Sequence, residues 1–76
     1  MSPALPVVTG RDCLRALLKA GFYIDHQTGS HARLFHQTRR ELRVTVPIHT
    51  KDLPRGTLKS ILAQAQLTVE EFRDLL

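Results

Sequence analysis

The residues best able to do chemistry in this chain stand in "TGSHARLF", where Gly29, Ser30 and His31 lead into an alternating run. Imidazole titrates at about pH 6.5, so near neutrality such a side chain can accept or donate a proton for a reacting hydroxyl. Glycine and serine are also plain turn residues, and the same histidine reads also as an exposed residue opening a strand. On these residues alone both readings stand. His49, just after Pro47, is either a second proton carrier or a loop residue bonded to backbone. His26 and His36 fall at strand ends on the core-facing phase and read as structural. Thr57 and Ser60 have no base at a defined spacing, and Cys13 lies beside an apolar helical stripe as a small core residue.

The charge around His31 points to anionic partners. Eleven Lys and Arg against seven Asp and Glu leave a net charge of +4, which favours nucleic acid or an acidic protein surface. Between positions 33 and 59 the cations Arg33, Arg39, Arg40, Arg43, Lys51, Arg55 and Lys59 are opposed only by Glu41 and Asp52. Arg33, Arg43 and Lys51 are candidate phosphate holders, and Phe35 and Tyr23 can stack on unpaired bases. Taken singly, each cation is an ordinary solvated charge. A single cysteine allows neither an internal disulfide nor a thiolate zinc site, and no Asp, Glu and His residues cluster tightly, so neither metal nor cofactor is expected. "MSPALPVV" is too short and too interrupted by proline for a signal sequence, and no apolar run approaches the roughly 20 residues of a membrane span. The expectation is a cytoplasmic protein with no membrane partner.

A small fold has to position these groups. With 76 residues there is room for one modest core, since a chain this short buries only about 60% of its unfolded surface. One domain over 1–76 is expected, with 1–8 as an N-terminal extension. Thr9 is placed to cap a helix over 10–20 that carries Leu14, Leu17 and Leu18 and closes at Gly21. The period then changes to two. Phe22 and Ile24, then Ala32 and Leu34, then Leu42, Val44 and Val46 alternate with polar residues, with "TGS" as a hairpin turn. Phe22, Ile24, Leu34, Val44 and Val46 are expected to face the core, leaving His31, Arg33, Phe35, Arg43 and Thr45 on an open face. Helical spacing returns with Leu58, Ile61, Leu62 and Ala65, and a last short helix opens on a Thr68/Glu71 capping box, with Val69, Phe72, Leu75 and Leu76 as its apolar side. The fold class is α+β: an α-β-β-β-α sandwich of a three-stranded antiparallel sheet with helices on one face, plus a short C-terminal helix.

Three stretches, "LLKAGFYIDHQTGSH", "VTVPIH" and "RGTLKSILAQAQLTVEEF", occur in this order, and over residues 9–76 the chain resembles the HicA family of small toxins. The positions that carry the resemblance are Gly29, Ser30 and His31, then Val44, Val46, Pro47 and His49, then Gly56, Thr57, Leu58, Ile61 and Leu62. The resemblance implies a fold like double-stranded-RNA-binding domains, cleavage of mRNA with His31 as the catalytic residue, and silencing by a HicB-like antitoxin. It departs from the family at Thr28, where a basic residue often precedes the motif, and at Gln66, where a helix-closing glycine is usual. The Gln66 departure implies a strained or differently closed helix end. With the resemblance, the reading is a metal-independent endoribonuclease of the toxin type. Gly29 and Ser30 shape its turn, and His49 supports it. The rivals are a non-catalytic RNA-binding module with the same basic face and a pure protein-interaction domain. Neither has a use for His31 in particular.

Overall fold

The structure, a computed structural model, describes residues 4–48 and 51–76. At the start of α1 (Gly10–Lys19) the Thr9 hydroxyl accepts from the Asp12 N–H and the Asp12 carboxylate accepts from the Thr9 N–H, each at 3.2 Å. This reciprocal pair satisfies two donors that a helix start would otherwise leave open. Beyond the helix Gly21 takes φ +101° and turns the chain into β1 (Phe22–Thr28). A turn at Gly29 and Ser30 leads to β2 (His31–His36), and β3 (Arg43–Pro47) completes an antiparallel sheet of order β1-β2-β3. Then come α2 (Arg55–Ala65) and α3 (Val69–Leu75).

The core lies between one face of the sheet and the helices. Phe22, Ala32, Leu34, Val44 and Val46 enter it from the strands, Cys13, Ala16 and Leu17 from α1, Leu58, Ile61, Leu62 and Ala65 from α2, and Phe72 from α3. Val8, Leu42 and Leu53 close its margins. Val8 is drawn in from the segment before α1, where its carbonyl accepts from the Leu53 N–H at 2.8 Å and Thr9 bridges Asp52. Further back, Arg73 donates to the Ala4 carbonyl at 2.9 Å.

Two expectations are corrected, and the unusual end expected for α2 is found. Ile24 keeps the core-facing phase opposite Leu34 but is 39% exposed. It sits on an edge strand whose residues beyond Phe22 are all exposed. Leu76 is 49% exposed, because α3 ends one residue before it. At the end of α2, Gln66 itself takes the left-handed conformation that glycine would supply, at φ 55° and ψ 44°. For a residue with a Cβ that geometry costs roughly 1–2 kcal/mol, and the Gln66 side-chain carbonyl gains a hydrogen bond from Arg39 at 2.6 Å.

The capping box of α3 is formed, with the Glu71 carboxylate accepting from the Thr68 N–H at 2.9 Å. That bond is the chief reason the Glu71 carboxyl is held below its usual range. A depressed folded-state pKa means the box stabilises α3 above the ordinary carboxylate range and is lost as pH falls through Glu71's folded value.

His36 behaves as the structural residue expected. Its Nε2 donates to the Ala20 carbonyl at 3.1 Å, its Nδ1 accepts from the N–H groups of Thr38 and Arg39, and its ring meets Phe22 edge-on at 4.9 Å. A Cβ on Gly21 would stand 2.9 Å from His36 Nε2. Gly21→Ala is therefore expected to cost about 2–3 kcal/mol, through left-handed strain and a disturbed histidine bond. A denaturant midpoint that falls at unchanged slope checks this, and an unmoved midpoint refutes it.

Candidate functional site on the open sheet face

Partner residues in an antiparallel pair project from the same face, so the register resolves the uncovered face into three cross-strand rows. Thr28, His31 and Pro47 form the row beside the turn. His26, Arg33 and Thr45 form the middle row. Tyr23, Phe35 and Arg43 form the far row.

In the first row His31 is exposed at the start of β2, and Ser30 Oγ stands 3.5 Å from its Nδ1. Gly29 takes φ +56°, and a Cβ built there would meet nothing within 4 Å. The turn ahead of the histidine is therefore open on its outer side. In the far row the Tyr23 and Phe35 rings meet edge to face at 6.3 Å, and the Arg43 guanidinium lies over Phe35, 5.2 Å from the ring centre. Tyr23, Phe35, His36, Gln37, Arg40 and Arg43 line a shallow depression there. Flat rings and guanidinium planes of this kind stack on nucleic-acid bases.

The middle row holds the change that sequence reasoning missed. The register slips between Ile24 and His26, leaving Asp25 as the extra residue of a bulge. From there on β1 has switched faces, so His26 lies on the open face opposite Arg33 and not on the core-facing phase. Its Nδ1 is 3.1 Å from Asp25 Oδ2. A carboxylate only accepts, so the histidine donates and Nδ1 carries the proton.

Among the other expected site residues, Arg33 and Arg43 are exposed on the open face as diagonal neighbours of β2 and β3, and Phe35 is half-buried between Tyr23 and Arg43. Lys51 is exposed in the connection ahead of α2 and is not part of the rows. His49 lies outside the described residues. Cys13 is fully buried, and burial chiefly, with Asp12 adding to it, pushes its thiol up to about 12, so it has no thiolate to offer. Among the described residues, no three His, Cys, Asp or Glu side chains gather as a metal site, and no helix is long and apolar enough to cross a membrane.

The fold and this face define an α+β protein that packs its helices on one side of a small sheet and leaves a histidine-bearing, cationic and aromatic side uncovered. The sequence model of the family described as HicA toxin of bacterial toxin-antitoxin matches residues 10–67. The chain belongs to the HicA toxin family and is a toxin of a toxin-antitoxin system, with a cognate antitoxin as its partner. None of the curated proteins matches it.

Proposed function

We propose that this toxin is an endoribonuclease that cuts mRNA without a metal ion, with His31 as the acid-base group on the ribose 2′-hydroxyl. The observation that carries the reading is the company His31 keeps: the next residue of β2 on its face is Arg33, and the open Gly29 turn adjoins it. RNA holds its own nucleophile. Once a base removes the 2′-proton, attack on the adjacent phosphorus yields a 2′,3′-cyclic phosphate and a 5′-hydroxyl end. Arg33 serves to hold the phosphate, and the Tyr23, Phe35 and Arg43 row serves to hold a neighbouring unpaired segment. A HicB-like antitoxin silences the toxin by sitting on the same face, because a specific interface of about 800 Å² per partner takes a large share of so small a surface.

The rival reading, a non-catalytic RNA-binding module, accounts for the aromatic and arginine row but gives His31 nothing to do. The two part in one assay. With excess chelator present, RNA is expected to be cut to cyclic-phosphate ends while its 2′-O-methyl counterpart stays intact. RNA bound but uncut in all conditions supports the binding module. Cleavage abolished by chelator, with RNA still bound, indicates a metal nuclease.

A further inference from the structure

A single histidine can take the proton from the 2′-hydroxyl, but the departing 5′-oxygen also needs a proton, and the bulge in β1 brings a second imidazole to the same face. We propose that His26 is the general acid of the reaction, oriented by Asp25 and acting opposite His31. The proposal rests on the endoribonuclease reading given above.

Its basis is the geometry of three residues. His26 pairs directly with Arg33 across β1 and β2, and His31 lies two residues before Arg33 on the same face. Direct cross-strand partners hold their Cβ atoms about 4.5–5.5 Å apart and diagonal ones stand about 7–8 Å apart. His26 and His31 therefore project from one face as diagonal neighbours, with Arg33 directly opposite the first and two residues along β2 from the second. That is the arrangement an in-line displacement needs: a base on the entering oxygen, an acid on the leaving oxygen, and a cation on the oxygens that take neither role.

Asp25 supplies the orientation. Its carboxylate, 3.1 Å from His26 Nδ1, fixes which ring nitrogen carries the bonded proton and leaves Nε2 as the nitrogen for substrate. The bulge makes this pairing possible. In a regular strand Asp25 and His26 would project to opposite faces, whereas the extra residue lets both oppose Arg33. The charged and titratable groups around His26 are Asp25 on its own strand and Arg33 and His31 on β2, with the neutral Thr45 of β3 completing the row.

The step balances. The O2′–H bond breaks with its proton passing to His31, and O2′ bonds to phosphorus. The P–O5′ bond breaks, and O5′ takes the proton from His26 Nε2. His31 ends protonated and His26 neutral, and exchange with water restores both.

The test uses the full chain and two substrates: an oligoribonucleotide cut at a mapped position, and the same molecule with sulfur replacing the 5′-bridging oxygen there. A thiolate leaves without being protonated, so the sulfur substrate needs a base but no acid. His26 is exposed, and His26→Ala is expected to fold normally. It should cut the oxygen substrate about 10²–10⁴-fold more slowly and the sulfur substrate at near the wild-type rate. Its pH–rate profile should lack the alkaline fall expected of the wild type. Asp25→Asn should fall between the two on oxygen and match the wild type on sulfur. An unchanged rate of His26→Ala on the oxygen substrate, or an equal loss on both substrates, overturns the assignment while leaving His31 in place. Wild-type rates from His31→Ala remove His31 from the reaction and this proposal with it, whereas no cleavage by the wild type overturns the endoribonuclease reading and this proposal together.

Discussion

His31→Ala is expected to slow RNA cleavage by about 10²–10⁴-fold, the usual worth of one acid-base group, and to lift growth inhibition. Thermal stability should change little, since exposed substitutions stay within about 0.5 kcal/mol. Ala32 and Leu34 point into the core and carry the packing of β2, while His31 is exposed on the other face. Arg33 remains in the variant, so RNA affinity measured at fixed salt should be nearly unchanged. That separates a lost proton transfer from a lost contact. Cleavage by the folded variant at the wild-type rate would remove His31 from the reaction. A parallel fall in affinity and rate would make it a binding residue.

Where the sequence was legible, local chemistry and burial agreed. Thr9 with Asp12 and Thr68 with Glu71 bound their own helix starts within four residues, so no tertiary information was needed to find them. In β2 and β3 one face is packed, and the alternation of Ala32 and Leu34, and of Val44 and Val46, recorded it. The far half of β1 carried no such record. Asp25, His26, Gln27 and Thr28 are all polar and all exposed on an edge strand, so nothing in their types says which face each occupies. A one-residue bulge then exchanges the faces without leaving a trace in composition. The part of the candidate face on β2, β3 and the start of β1 could be read in advance for this reason, and the part of β1 beyond the bulge could not. Gln66 shows the same limit. The absence of glycine signalled an unusual helix end, but only the fold shows that glutamine itself adopts the left-handed turn, with Arg39 bonded to its side chain.

Phe72→Ala is expected to be the most damaging substitution to the fold, although Phe72 lies beyond the 10–67 stretch that marks the family. Its side chain is 0% exposed, and it heads the fully buried side chains in size. Emptying such a site typically costs about 3–5 kcal/mol, as lost transfer energy plus the cavity left behind. A small domain has roughly 5–15 kcal/mol in all, so this one change removes a large part of the total. The loss should concentrate in α3 first. That helix has seven residues, too few to persist in water without tertiary support, and its capping box can direct the first turn but cannot hold the helix to the core. Phe72 provides that hold, and α1 is the element α3 packs against. Each kcal/mol lowers the midpoint of a domain this size by roughly 4–8 °C, so the variant's melting temperature should fall by at least about 12 °C. Phe72→Leu, which keeps most of the apolar volume, should fall much less. A thermal melt followed by far-ultraviolet circular dichroism measures both. If Phe72→Ala melts within a few degrees of the wild type, α3 is an appendage and the core closes without it.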